Sequence, residues 1–165
     1  MAETPEIREE SGFGAPPPYF DARIHQLYRY WDDKRGDRDI PDRKDLDPLI
    51  EIPKLLSAVW LLDVEHDPLR LRFRLIGNDL VRSGGPSQVG QYAEEQPQDE
   101  AGFATITAFK RCCTERIVFW RRGRPQLAHH NHISGLQNLA LPLTVGGSED
   151  VRLLLMMTIY DRPAS

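Results

Sequence analysis

The sequence predicts an α+β fold built on a five-stranded antiparallel sheet, with helices inserted between strands two and three and one helix ahead of the sheet. Three observations support this class. Residues 21–36 show the apolar spacing of a helix, and residues 69–75 alternate between apolar and cationic side chains as a strand does. Helices and strands do not alternate along the chain, which argues against a doubly wound parallel sheet.

Length and composition restrict the class of protein further. The chain has 165 residues, 40% of them hydrophobic, which is sufficient for one domain with a core. The formal net charge of −4 disfavours a nucleic-acid-binding protein, and no apolar run approaches the roughly 20 residues that span a bilayer. We therefore expect one cytoplasmic domain over residues 19–160. The segment 1–18, rich in Glu, Pro and Gly, and the segment 161–165 are predicted to be tails.

The first helix is predicted to begin at Asp21, which suits the N-cap position, and to end near Gly36. One side of this helix carries apolar side chains at positions i, i+3, i+4 and i+7, namely Ile24, Leu27, Tyr28 and Trp31. A second, short helix is predicted across Pro48 to Ser57, with Asp47 as its cap; because Pro53 is an awkward interior residue, the alternative is a helix that begins only at Pro53.

Two strands are predicted next, joined by a turn at Asp67-Pro68. The first is the apolar run Ala58 to Val64. In the second, one face carries Leu69, Leu71, Phe73 and Leu75, and the opposite face carries Arg70, Arg72 and Arg74. These arginines could meet an anionic ligand or an acidic partner, or they could pair with acids on adjacent strands, such as Asp63 or Glu65.

The remaining elements are a long helix and three strands. The helix is predicted over Ala101 to Cys113, with Phe103, Ile106, Phe109 and Cys113 along one side. The strands are predicted over Glu115–Arg122, Leu139–Val145 and Val151–Tyr160. Apolar residues between the helix and the sheet could line a ligand cavity or fill a dry core; the candidates are Phe73, Leu75, Phe103, Ile106, Phe109, Trp120 and Leu141.

Two further groups of residues could carry chemistry. His129, His130 and His132 lie close together, and His130 and His132 would share a face of a strand, which is how a metal site can begin. No Cys, Asp or Glu between residues 125 and 134 adds a ligand, so a polar loop or strand edge is the alternative. Cys112 and Cys113 could be activated by neighbouring cations, or they could be small helix residues packed against the sheet.

The element order and several local runs resemble PAS domains, and more closely the single-domain PAS proteins of proteobacteria. The strand Leu69–Ile76, followed by Gly77-Asn78-Asp79-Leu80 and then Val89-Gly90-Gln91, resembles the PAS run in which a strand leads to an Asn, a short helix and a glycine that closes a turn. The other runs that carry the resemblance are Leu27-Tyr28-Arg29-Tyr30-Trp31, Ile40-Pro41-Asp42-Arg43, Ile52-Pro53-Lys54-Leu55-Leu56 and Leu139-Ala140-Leu141-Pro142-Leu143.

The resemblance implies a sensory or interaction module in signal transduction rather than an enzyme. PAS domains often hold a small ligand between the helices and the concave face of the sheet, and often pair, as homodimers or with a partner protein, through the leading helix or the outer face of the sheet. The stripe of Ile24, Leu27, Tyr28 and Trp31 should accordingly cover either this sheet or a second copy of the chain. The sequence identifies no cofactor. A structural interaction domain with a filled core and a metal-dependent enzyme that uses the histidine cluster are the alternatives.

Overall fold

The computed structural model describes residues 8–80, 88–97, 99–124 and 135–161. Within these residues, six strands form one antiparallel sheet in the order β1-β4-β5-β6-β2-β3. The strands are β1 (Glu10–Phe13), β2 (Val59–Glu65), β3 (Arg70–Ile76), β4 (Phe119–Gly123), β5 (Gly135–Leu143) and β6 (Leu153–Asp161). The α-helices are α1 (Ala22–Arg35), α2 (Pro48–Glu51) and α3 (Glu100–Glu115), and short 3-10 helices span Arg43–Asp45, Pro53–Ala58 and Ala93–Glu95. Across the described part of the chain, no helix combines the length and apolar character that crossing a membrane requires.

The first helix has the predicted ends. Asp21 Oδ1 accepts a hydrogen bond from Arg23 N at 2.9 Å, which caps the N-terminus of α1. Gly36 follows the helix with a φ of 57°, a conformation that favours glycine. The apolar stripe turns inward, and Ile24, Leu27 and Trp31 are almost completely buried within this single chain.

The sheet is covered on both faces. Successive strand residues point to opposite sides, so Phe119 and Trp120 of β4 mark the two faces. Phe20, just before α1, contacts the Trp120 ring at a centroid distance of 5.6 Å, whereas Phe109 of α3 contacts the Phe119 ring at 5.9 Å. We call the side of Trp120 the α1 face and the side of Phe119 the α3 face. Because helices cover both, β5 is buried along its whole length.

The predicted N-terminal tail contains an edge strand, so the sheet has six strands among the described residues instead of the five expected. β1 pairs antiparallel with β4, and Gly12 lies opposite Trp120. A Cβ atom on Gly12 would lie 2.5 Å from the Trp120 ring, so the absence of a side chain there makes room for the indole. The mostly polar sequence of β1 lacks the apolar alternation that would have predicted it.

Several predicted element boundaries are corrected. The second helix divides at Ile52 into α2 and a 3-10 helix that begins at Pro53, because proline cannot donate the backbone hydrogen bond of a continuous helix. Pro48 is the first helical residue as predicted, but the Asp47 side chain makes no capping hydrogen bond. α3 continues to Glu115, and the left-handed Arg116 that follows it delays the start of β4 to Phe119.

The alternation predicted for β3 fails near its end. Leu61 pairs with Leu75, but the next residue, Leu62, pairs with Phe73, so Arg74 is an extra residue on β3. Such a bulge reverses the side-chain alternation beyond it. Leu75 therefore does not share a face with Phe73, and it is 47% exposed.

The orientation of α3 also differs from the prediction. Gly102, Thr105, Phe109, Cys112 and Cys113 are buried, whereas Phe103 is 65% exposed. At 3.6 residues per turn, Phe103 lies about 120° around the helix from Phe109. Since Phe109 packs against the sheet, Phe103 faces away from it.

Candidate functional site

Buried polar side chains lie in a row across the α3 face of the sheet. Arg121 of β4 pairs directly with Asn138 of β5, and Asn138 pairs with Thr158 of β6. The Trp60 side chain of β2 reaches Thr158 from the next strand. We call Trp60, Thr158, Asn138 and Arg121 the polar row. Polar groups in a covered sheet face require hydrogen-bond partners.

The hydrogen bonds of the polar row have a defined direction. The indole N–H of Trp60 can only donate, and it donates to Thr158 Oγ1 at 2.9 Å. The Thr158 hydroxyl then donates to Asn138 Oδ1 at 2.8 Å. The Asn138 amide oxygen therefore faces Thr158. The amide nitrogen Nδ2 is therefore the group that Asn138 has left for other partners.

Arg121 is the charged member of the polar row. Its Nη2 donates to Glu9 Oε1 at 3.1 Å and to the Arg124 carbonyl oxygen at 2.9 Å. Burial lowers the pKa of the Arg121 guanidinium, while the Glu9 carboxylate acts in the opposite direction. Glu9 Oε1 also accepts from Arg124 N at 2.8 Å. The N-terminal segment thus places one carboxylate against a buried cation.

Helix α3 covers the polar row. Phe109 contacts the Trp60 ring at 6.2 Å and the Phe119 ring at 5.9 Å. At the other end, Asp99 caps α3 by accepting from Gly102 N at 2.8 Å, and its charge also acts on Arg121. The middle of α3 therefore covers the Trp60 end of the polar row.

The residues predicted to line a pocket do not all meet at this site. Phe73 stacks on Trp60 at 5.8 Å, and Phe109 and the half-buried Ile106 are also on the α3 face. Trp120 and Leu141 lie on the α1 face instead. Trp120 pairs with Leu139 of β5, and Leu141 is two residues further along that strand, so its side chain lies on the same face. The two remaining residues of the predicted group, Leu75 and Phe103, are exposed. The structure thus brings together only part of the predicted group.

The residues predicted as a dimer surface are used within the chain. Ile24 and Leu27 have no exposed surface, and Trp31 is 3% exposed and donates from Nε1 to Pro142 O at 3.0 Å. Tyr28 is half-buried and stacks on Trp31. Ile24, Leu27 and Trp31 therefore cover this chain's own sheet, which is the first of the two alternatives that the sequence left open.

The cationic side of β3 makes contacts within the chain. Arg70 pairs with Glu95 at 2.6 Å and lies over the Tyr92 ring. Arg74 pairs with Asp63 at 3.1 Å, which is one of the partners that the sequence suggested. Arg72 Nε donates to Gly90 O at 3.2 Å. Pairing with acids is thus what the structure shows for Arg70 and Arg74.

The predicted histidine cluster, His129, His130 and His132, lies outside the described residues. Elsewhere, His25 Nε2 contacts Pro17 O at 3.0 Å and His66 Nε2 contacts Val151 O at 2.7 Å. Residues 8–80, 88–97, 99–124 and 135–161 contain no group of three or more His, Cys, Asp or Glu side chains that could hold a metal ion.

For Cys112 and Cys113, the structure favours the second alternative, that of small, buried helix residues. Both are buried, and the thiols of Cys112 and Cys113 contact the carbonyl oxygens of Ala108 and Phe109. Burial raises the pKa of both thiols, that of Cys113 to about 12. Neither is therefore an activated nucleophile.

Sequence reasoning missed the polar row, although a signal was present. Asn138 and Thr158 stand inside two runs that are otherwise almost entirely apolar, and Arg121 lies within a short strand of mixed character. A polar residue in a strand that is covered on both faces needs a buried partner. That Asn138 and Thr158 meet could not be predicted without the strand order.

Comparison with protein families gives one match. Residues 20–86, which extend from just before α1 past β3, match the family model described as a PAS domain. The α+β architecture with one antiparallel sheet is consistent with that family. No curated protein and no solved structure matches the chain. Trp60 is the member of the polar row that lies inside the matched segment.

Proposed function

We propose, from the PAS-domain match over residues 20–86, that this protein is a sensory or regulatory module that binds a small ligand on the α3 face of its sheet. The observation that carries this proposal is the polar row. Binding sites for small molecules combine an apolar lining with a few oriented polar groups. The row supplies such groups between Phe109 and the sheet.

The proposed mechanism is a shift between two packings of α3 on the sheet. A ligand that prefers one packing stabilises it by its difference in affinity for the two. Output would pass to a partner protein or to a second copy of the chain, in the cytoplasm. Phe109 holds α3 against the sheet, and Phe103 lies on the exposed side of the same helix, so a change in the position of α3 would alter the surface around Phe103.

A thermal-shift screen of small metabolites tests the proposal. A compound that binds only the folded state raises the unfolding midpoint. Thr158→Val removes the hydroxyl that orients Asn138 while keeping the shape of the side chain, and we expect it to abolish the shift. Thr144→Val is the matched control, because Thr144 is equally buried but donates to Asp42, away from α3. No shift with any compound, or an equal shift in Thr158→Val, would contradict the proposal.

The second candidate is an interaction domain with a filled core. It is favoured by the aromatic cluster in which Phe109 packs edge-on against Trp60 and Phe119, an arrangement typical of dry cores. Homodimerisation is the interaction we test first, by sedimentation over a range of concentrations. A dimer whose stability is unaffected by every compound in the screen would favour this candidate, and a monomer at all concentrations would count against a homodimer.

A further inference from the structure

We propose that the ligand of the α3 face carries a carboxylate, which Arg121 and Asn138 bind. This inference rests on the proposed function and names the chemistry of its ligand. It comes from the donors that the polar row leaves unused, from the charges around Arg121 and from the position of Glu9.

The polar row offers hydrogen-bond donors at its β4 end. Because Asn138 Oδ1 accepts from Thr158, Nδ2 carries the free hydrogens, and it donates to none of the residues that the structure describes. The same holds for Nε and Nη1 of Arg121, since only Nη2 donates to described residues. Both residues are more than nine-tenths buried and directly opposite each other on adjacent strands. Their ligand must therefore present acceptor oxygens.

Glu9 shows which acceptor the site accommodates. Its carboxylate contacts the buried guanidinium, yet its side chain is 51% exposed while that of Arg121 is 5% exposed. A Cβ atom on Gly123 would collide with this carboxylate, so the glycine leaves room for it. Glu9 thus occupies the position of an exchangeable carboxylate on a fixed cation.

Charge balance indicates that the ligand replaces Glu9. Among the described residues, the Glu9 carboxylate contacts Arg121, and the charge of Asp99 also acts to raise the pKa of its guanidinium. A third negative charge would be repelled, whereas an exchange for Glu9 keeps the balance. Charge-assisted bonds to guanidinium are strong enough for a ligand carboxylate to compete.

The neighbouring side chains predict an apolar body for the ligand. The next row on the same face consists of Phe119, Ala140 and Met156, which pair with one another across β4, β5 and β6. Phe109 lies above them. Phenylacetate and octanoate combine a carboxylate with such a body, and phenylacetamide and octanamide are their uncharged counterparts.

Calorimetric titration of the full chain with these probes tests the inference. We expect both carboxylates to bind and both amides to bind at least about tenfold more weakly. Glu9→Gln removes the competing charge from a half-exposed side chain, and we expect it to tighten carboxylate binding about tenfold. Asn138→Asp keeps the acceptor for Thr158 but replaces Nδ2 by oxygen, and we expect binding to be lost.

Several outcomes would overturn the inference. These are equal binding of amides and carboxylates, an unchanged affinity in Glu9→Gln, unchanged binding in Asn138→Asp, and no binding of either carboxylate to wild type and Glu9→Gln. The proposed function is separable from it. If the thermal-shift screen finds an uncharged ligand that Thr158→Val no longer binds, the proposed sensory function is supported and the proposed carboxylate ligand is wrong.

Discussion

At the scale of single residues, Asp42 connects the segment after α1 to the turn between β5 and β6. Its Oδ2 accepts from Thr144 Oγ1 at 2.8 Å and from Gly147 N at 2.7 Å, and its Oδ1 accepts from Lys44 N at 3.1 Å. Burial acts to raise the pKa of Asp42, but these hydrogen bonds outweigh it and hold the pKa below its ordinary value of 3.8. The ionised form is therefore the one that stabilises the fold.

The first prediction concerns the pH dependence of stability. Because the pKa of Asp42 is lowered in the folded state, its stabilisation is present above pH 3.8, the ordinary value, and is lost as the pH falls through the folded pKa. Asp42→Asn should lower the free energy of unfolding at pH 7 by about 2 kcal/mol, because the amide cannot accept all of these bonds. It should also flatten the decline in stability below about pH 4. Urea denaturation across this range measures both effects.

The control for this prediction is Asp37→Asn, since Asp37 is exposed in the turn after α1. It should leave the free energy of unfolding within about 0.5 kcal/mol of the wild type. An Asp42→Asn protein as stable as the control at pH 7 would show that the ionised side chain does not hold the turn.

The second prediction concerns thiol reactivity. Cys112 and Cys113 are buried with raised thiol pKa values, so few thiolates form at pH 8. Reaction with a disulfide reagent should be at least about 100-fold slower in the folded protein than in urea. Thr114→Cys places a thiol at an exposed position of the same helix and should react in the folded state. Rapid labelling of the wild type would mean that α3 opens readily from the sheet.

Residue-scale prediction from sequence succeeds where the determinant is local. The cap at Asp21 and the inward stripe of α1 follow from spacing along one helix. Leu75 and Phe103 were misplaced because a bulge and the rotation of α3 are set by other elements. The polar row depends on strand order, so its members could be noticed in the sequence but not assembled.

At the scale of elements, the end of β3 is held close to the beginning of β2 by Gly77. Its N–H donates to Val59 O at 2.8 Å. A Cβ atom there would lie 2.7 Å from Val59 O and closer still to the carbonyl oxygen of Ser57. Both obstacles are backbone atoms, so neither can move without displacing β2. This glycine is required by space, since its φ is not positive.

The third prediction follows from this contact. Gly77→Ala should lower the free energy of unfolding by about 1–3 kcal/mol through overpacking, measured by urea denaturation. The comparison is Gly36→Ala, where no atom lies within 4 Å of the added Cβ and any loss of stability comes from backbone conformation alone, because φ 57° with ψ −124° lies outside the left-handed helical region. A Gly77→Ala protein as stable as the wild type would show that the two strand ends are not tightly apposed.

Element prediction fails mainly where pairing is long-range. The helix α1 and the hairpin of β2 and β3 were predicted from local periodicity, and both are present with small changes in their ends. The sequence predicts a tail in place of β1, because the strand character of β1 comes from pairing with β4, more than 100 residues away in sequence. The late start of β4 comes from the left-handed Arg116, a helix end without a glycine to signal it.

At the scale of the whole molecule, the central strands of the sheet lie between two helices of different role. α1 carries a continuous apolar stripe, and Trp31 attaches it to β5 by a hydrogen bond. On the opposite side, α3 covers a surface that includes the polar row. The α1 face thus carries apolar packing, whereas the α3 face also contains buried polar groups. This asymmetry places the proposed binding on the α3 side.

The last prediction tests whether α1 is a structural layer of the single chain. Trp31 is 3% exposed and donates to Pro142 O, so Trp31→Ala should lower the free energy of unfolding by about 3–5 kcal/mol. Its oligomeric state at concentrations where it is folded should equal that of the wild type, measured by sedimentation. Trp31→Phe keeps most of the packing but loses the hydrogen bond, so its free energy of unfolding should lie between those of Trp31→Ala and the wild type. If Trp31→Ala instead remains as stable as the wild type and changes its association, α1 serves an interface between copies, and the two-sided covering of the sheet is not what stabilises the fold.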